Sequence, residues 1–374
     1  MNKVRIAFLI TGLHGGGAET MLFHILRGMD RERFAPVVIS LMDRGRLGDA
    51  IEALGVPVQT VGLAPGRVTP GAFVRLVKFV RAVQPDVIQG WMYHSDFAAQ
   101  LVRLFHRAPV CWCIQNSFHS FAAEKPLTRI MIRALAQLSR LPAKIVYVSH
   151  VSREQHEKLG FAKERGCVIP NGVDPVLYQP SAEARRSVRA ELRLAPDAAL
   201  IGLIGRYHPQ KDHETFLRAA ALLPDAQFLL AGAEVNEANP ALRALVDELK
   251  LKDRVHLLGE RSDMPRLNAA LDSATSSSSY GEALSLALAE AMACAVPCVV
   301  TDVGDSAMLV GKTGVVVPPR DPAALAEGWT RLLAAGCRPF GEAARQRVET
   351  EYSAAQIVRR YEELYLSLMQ PCAA

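Results

Sequence analysis

The feature that most constrains this chain is an alternation, kept up over nearly its whole length, of short apolar β-rich runs with segments of helical periodicity. In the first half Val4–Thr11, Ala35–Leu41, the run opened by Gly55-Val56-Pro57-Val58, Asp86–Trp91, Val110–Ile114 and Ile145–Ser149 read as strands, the last of them closing that half. Ala18–Met29, a helix ending at Ile51–Leu54, Ala72–Val83 and Asp96–Phe105 read as the helices between them. In the second half Leu200–Ile204, Gln227–Ala231, Val255–Leu258, Ser273–Ser277, Cys298–Thr301 and Val315–Val317 alternate with His213–Leu222, Ala241–Leu249, Met264–Leu271, Ser285–Cys294 and Pro322–Ala334. Strands separated by helices must pair in parallel and be covered on both faces. A chain of 374 residues exceeds one ordinary core, so two doubly wound α/β domains are expected. The turn formers Pro170, Asn171 and Gly172 divide them into residues 1–170 and 171–352, and a last helix within 353–374, N-capped by Ser353, packs back on the first domain.

Composition removes other classes. Apolar residues make up 50% and charged residues 22%, which excludes a disordered or fibrous chain. No run of about 18 apolar residues occurs, so no transmembrane helix is expected. The start, MNKVRIAFLITGLHGGGAET, has a basic end and an apolar stretch, but glycines and an acid interrupt it and no small-residue cleavage site follows; it reads as a first strand. The seven cysteines lack zinc-ligand spacing, and Cys111 and Cys113 share a strand face as packed thiols, which fits a reduced cytoplasmic protein. Residues 1–170 carry 22 Lys and Arg against 12 Asp and Glu, a net +10, whereas residues 171–374 carry 21 against 26, a net −5. The first domain therefore meets something anionic, a membrane surface or a phosphorylated substrate rather than nucleic acid, for which no zinc finger, basic zipper or RNA-binding aromatic signature is present.

In open parallel sheets ligands bind beyond the C-terminal strand ends. The residues there are Gly15-Gly16-Gly17 before a helix with Glu19 in its first turn, Met92-Tyr93-His94, Gln115-Asn116-Ser117, and Gly205-Arg206 with Lys211. The glycines allow close backbone approach, or simply a tight turn. His94 alone is more often a structural residue than a catalyst. Arg206 and Lys211 can neutralise a diphosphate as a bond to it breaks. In SSSSYGEALSLALAEAMACAVPCVVTD, Glu282 lies in the loop feeding a helix that Ser285 can cap, and Glu290 lies inside that helix. The amides of its first turn suit a phosphate, and a carboxylate further on can accept two hydrogen bonds from a ribose diol. Spacing alone favours two solvated glutamates on a surface helix.

With GGGAE, VIQGWMYHSDFAA, IVYVSH, VIPNGVD, IGLIGRYHPQKDHETFLRAAA, FLLAGAE, LLGERSDMP and the E-x7-E block in order, the chain resembles the GT-B nucleotide-sugar glycosyltransferases of family 4. The resemblance implies two Rossmann-like domains facing across a cleft, the first for the acceptor and the second for the donor. It implies a retaining transfer of a hexose-type sugar from a UDP- or GDP-sugar to a hydroxyl acceptor, a lipid-linked glycan or polysaccharide intermediate. It further implies that Glu290 binds the ribose hydroxyls, Glu282 the donor sugar, Arg206 and Lys211 the diphosphate, and Ser285 and Leu286 the phosphates or sugar at the helix start. His94 would lie near the transferred sugar, Gly15, Gly16 and Gly17 beside the diphosphate and acceptor, Gly259 and Arg261 around the base, and Asn116 at the substrate.

The chain departs from many relatives in carrying Ala283-Leu284-Ser285 where they have Gly-Phe-Pro, which leaves the donor open. No D-x-D motif occurs, so neither a metal nor another cofactor is expected. Rival readings are a nucleotide-sugar epimerase of the same plan and a non-catalytic nucleotide-sugar binding protein. An NAD dehydrogenase lacks its GxGxxG. Basic residues of Ala72–Val83 and Thr128–Lys144, with Phe118 and Phe121, predict docking of a cytoplasmic protein on an anionic inner membrane face.

Overall fold

A computed structural model describes residues 3–64, 69–118, 121–123 and 125–369. The chain divides into two compact units, one of residues 1–171 with 354–374 and one of residues 172–353. Cys372 and the end of the expected last helix, residues 370–374, lie outside the described residues.

The first unit holds a seven-stranded parallel sheet: β1 (Val4–Ile10), β2 (Phe34–Ser40), β3 (Val58–Thr60), β4 (Val87–Trp91), β5 (Val110–Ile114), β6 (Lys144–Tyr147) and β7 (Gly166–Val168), in the order β3-β2-β1-β4-β5-β6-β7. The last strand is β7, not the run at 145–149. Its three half-buried residues at a sheet edge give almost no periodic signal. Period-2 alternation sends Ile6, Phe8 and Ile10 to one core and Ala7 and Leu9 to another, each closed by helices. Cys111 and Cys113 share the first of these faces as free thiols.

The helix Ala354–Met369 completes that face. Its Tyr365 hydroxyl donates to Gln89 Oε1 at 3.1 Å, Tyr361 lies 3.3 Å from Cys113 Sγ, and Glu362 Oε1 accepts from the Asp30 amide at 2.8 Å. Buried hydroxyls need partners, and here each finds one on a strand or loop far away in sequence.

The second unit holds β8 (Ala199–Ile204), β9 (Ala226–Ala231), β10 (Val255–Leu257), β11 (Ser273–Ser276), β12 (Cys298–Thr301) and β13 (Val315–Val317), all parallel, in the order β10-β9-β8-β11-β12-β13. Phe216, Phe228 and Trp329 form its aromatic centre, and the Trp329 indole donates to Thr275 Oγ1 at 2.9 Å. Helices His150–Lys158, Ala182–Glu191 and Cys337–Arg347 are rich in charged residues and bury little, which hides their apolar period. No helix among the described residues is long and apolar enough to cross a membrane.

Candidate active site

In each sheet the winding direction reverses once, between β1 and β4 and between β8 and β11. Loops on the two sides of such a point splay apart and leave a crevice at the strand ends. Most of the sequence-predicted residues follow the strands at these two places, whereas Asn116 follows β5 and Gly259 and Arg261 follow β10.

In the second unit the loop after β8 carries Arg206 and Lys211, and the segment after β11 carries Ser278 and Glu282. The two are laced together. Gln210 Nε2 donates to the Gly281 carbonyl at 2.8 Å, the Ser279 amide to the Gln210 carbonyl at 2.9 Å, and Ser277 Oγ to the Lys211 carbonyl at 2.7 Å. Lys211 Nζ then meets Glu282 Oε2 at 2.6 Å, and Ser278 Oγ donates to the same oxygen at 2.8 Å. The Glu282 backbone is pinned by Gly304, at φ +62°, where a Cβ would stand 1.8 Å from the Glu282 carbonyl oxygen. Arg206 is exposed and has no ion pair among the described residues.

Glu282 feeds the helix Leu286–Ala293. Ser285 occupies the N-cap position but its hydroxyl makes no cap bond, which corrects the expected cap. The first amides of the helix therefore keep no intrahelical or side-chain partner, and their dipoles favour an anion. Ser285, Lys211, Thr275, Ser276 and Ser277 line a narrow crevice with Leu203 and Ile204. Leu286 opens the helix. Glu290, one turn further on, is half-buried, with the Tyr178 side chain near it. Burial pushes its carboxyl up to about 7, against the opposing effect of the Tyr178 hydroxyl.

Gly259, at φ +67°, ties the loop after β10 to the loop after β9 through Gly259 N to the Val235 carbonyl at 2.7 Å and Gly232 N to the Gly259 carbonyl at 2.8 Å. Arg261 is not free beside this loop. Its guanidinium is held by Asp263 at 2.8 Å and Glu191 at 2.9 Å, in a network that Arg266 shares. In the free protein its charge is thus already matched by two carboxylates.

In the first unit a cavity of about 500 Å³ is lined by residues that include Thr11, His14, Glu19, His94, Asn116 and Lys125. His94 is exposed, second in the helix Tyr93–Val102 that follows β4. Its position is fixed by Met92, whose backbone at φ 72°, ψ 159° lies in a region that residues with a Cβ rarely enter. Below it the Tyr93 hydroxyl donates at 2.7 Å to His156 Nε2, whose Nδ1 donates to the Ser152 carbonyl at 2.7 Å. Asn116 is exposed at the cavity, and its carbonyl accepts from Ser152 Oγ at 2.6 Å. Gly15, Gly16 and Gly17 lead into the first helix rather than line the cavity, and a Cβ on Gly16 would stand 2.6 Å from Glu19 Oε2.

Sequence reasoning did not single out His14, Lys125, Ser278 or Tyr178 as site residues. His14 was legible beside the glycine triplet, and Lys125 before Pro126 at a helix start. Tyr178 was not, because only folding brings it to Glu290.

Comparison with known proteins agrees with this architecture. The family descriptions "Glycosyltransferase Family 4" and "Glycosyl transferases group 1" match residues 15–177 and 198–335. The putative glycosyltransferase EpsF of Bacillus subtilis is 26% identical over 72% of this chain and 75% of its own length. The D-inositol 3-phosphate glycosyltransferase of Mycobacterium sp. strain JLS is 31% identical over 70% of this chain, and the match spans 60% of that relative's length. Among solved structures, Anabaena Alr3699/HepE in complex with UDP superposes with a TM-score of 0.85 at 23% identity, over 97% of this chain and 100% of that one. The two family matches, with two parallel sheets of this order, make the chain a glycosyltransferase enzyme of the GT-B fold, belonging to family 4.

Proposed function

We propose that this enzyme moves a hexose-type sugar, with retention, from a UDP- or GDP-sugar to a hydroxyl of a lipid-linked glycan or polysaccharide intermediate. The observation that carries the reading is the Lys211–Glu282 pair set before the uncapped start of the helix that holds Glu290. A diphosphate there would meet the helix amides, Lys211 and Arg206, and these fixed positive groups oppose the charge that grows on the leaving group. Glu290 would take the ribose diol, Glu282 the sugar hydroxyls, and the Gly259 loop the base. The first-unit cavity, with His94 at its mouth, would hold the acceptor. HepE, named in complex with UDP and with UDP-glucose, supports a nucleotide-sugar donor. Incubation with UDP- and GDP-sugars, with and without lipid extract, tests the reading. Sugar should pass to a lipid-soluble product with its anomeric configuration kept; isomerisation without an acceptor would make the protein an epimerase.

Membrane delivery of the acceptor fits the helix Pro126–Leu138. It exposes Leu127 and Ile130 beside Arg129, and its N-terminal residues Lys125 and Thr128 line the acceptor cavity. Phe118 is buried against Phe121 and His156, so it does not insert. The helix ends at Leu138, and Lys144 begins β6, so the basic face is shorter than the sequence predicts.

A further inference from the structure

We infer that Ser278 is a positioning residue for the sugar end of the donor site: its hydroxyl holds one oxygen of the Glu282 carboxylate and so presents the other to the sugar. This deepens the assignment of Glu282 to the sugar hydroxyls and rests on it.

Four serines, 276 to 279, carry the chain out of the last residue of β11. Side chains of an extended chain alternate between two sides, and here the two sides do different work. Ser277 Oγ donates to the Lys211 carbonyl at 2.7 Å and Ser279 Oγ to that of Pro209 at 3.4 Å, so the odd-numbered serines fasten the loop after β8. The even-numbered ones serve Glu282. Ser276 Oγ donates to Ser278 Oγ at 3.3 Å, and Ser278 Oγ donates to Glu282 Oε2 at 2.8 Å. The donors run in one direction and end on the carboxylate, an order in which each bond polarises the next. Thr301, the last residue of β12, sets the backbone of this chain. Its hydroxyl is shared between the Ser278 carbonyl at 2.6 Å and the Ser276 carbonyl at 3.3 Å.

Ser276, Ser278, Glu282 and Thr301 are all buried. The carboxylate can still turn about its terminal bond, whose rotation is broad. Lys211 Nζ meets the same oxygen, Oε2, at 2.6 Å. An ammonium on a flexible stem is the group that a diphosphate would draw away. Ser278 has no such freedom, because its hydroxyl hangs from backbone that Thr301 grips. It keeps Oε2 when Lys211 turns to the diphosphate, and Oε1 is then presented to the sugar.

The test is calorimetric titration of UDP and UDP-glucose, with GDP and GDP-mannose as a second pair, into the native chain, Ser278→Ala, Glu282→Ala and the double variant. The readout, taken on the pair that the native chain binds more tightly, is the ratio of the sugar nucleotide's Kd to that of the bare nucleotide. Ser278→Ala should leave bare nucleotide affinity within about twofold and raise the ratio about three- to tenfold, the size of one hydrogen bond. In the Glu282→Ala background the same change should raise it no further, because Ser278 acts only through that carboxylate. An unchanged ratio in Ser278→Ala, whether both affinities persist or both fall, overturns the inference, and so does a further rise in the double variant. A native ratio in Glu282→Ala would instead overturn the sugar assignment on which it rests.

Discussion

Lys211 Nζ stands 2.6 Å from Glu282 Oε2, an ion pair joining residues 71 positions apart across the reversal point of the second sheet. In the free protein each group neutralises the other. A diphosphate would compete with Glu282 for the ammonium, and the released carboxylate would be left facing the sugar. Glu282→Gln should therefore leave free UDP or GDP affinity unchanged or tighter while lowering kcat at least about tenfold. Lys211→Ala should lower kcat by about a hundredfold. Titration calorimetry beside steady-state rates separates the two effects, and equal loss of nucleotide affinity in both variants would refute the division.

Arg206 is exposed and takes no ion pair among the described residues, so its removal costs the fold little. Arg206→Ala should keep the native melting temperature and lose about a hundredfold in kcat. Near-native kcat would remove it from the diphosphate site.

His156 is fully buried, and desolvation lowers its pKa to about 4 from the ordinary 6.5. The folded chain resists protonation there, so the stability tied to the neutral ring is complete above about pH 6.5 and lost as pH falls towards 4. The loss is on the order of 3 kcal/mol at the acid end. His156→Gln, which can keep a bond to Tyr93, should be less stable than the native chain at neutral pH but flatten the acid slope of the first unit's melting between these limits. An unchanged slope would place the acid sensitivity of the first unit at another group.

Asp96 is buried, with Oδ1 accepting from the Cys113 amide at 3.0 Å and Oδ2 unpartnered. Burial raises its pKa well above the ordinary carboxylate value. A raised acid pKa costs stability increasingly as pH rises above the unfolded value. Asp96→Asn, which removes the charge and keeps the acceptor, should match the native chain near pH 4 and melt higher at pH 8. A lower melting point at pH 8 would show that the ionised form is wanted.

Docking on a bilayer is tested by co-sedimentation with neutral and anionic vesicles at low and high salt. The native chain should prefer anionic vesicles at low salt, and Leu127→Ser with Ile130→Ser should weaken that preference. Binding indifferent to lipid charge would sink the docking proposal without touching the transferase assignment.

Much of this was legible because periodicity reports on burial. The central strands, buried on both faces, stood out as apolar runs, and the residues just after β1, β4, β8 and β11 could be named before the sheets were seen. The edge strand β7 and the charged helix Ala182–Glu191 gave no such signal. The ion pairs of Arg261 were hidden for a different reason. Its motif position is set by the chain, but its guanidinium is committed by Glu191, 70 residues earlier, and nothing local announces that partner. Tyr178 escaped because its neighbours Glu290 and Arg345 lie more than 100 positions on.

The C-terminal helix has a consequence for how the molecule comes into being. Tyr361 and Tyr365 belong to the core that β1 begins, so the first unit is finished only by a helix that is synthesised after the whole of the second unit. The second unit lies unbroken between Gly172 and Ser353 and can complete its core first. Synthesis would then run against the usual order, in which the N-terminal part of a nascent chain folds ahead. The earliest strands would wait, partly uncovered, for a helix some 350 residues behind them.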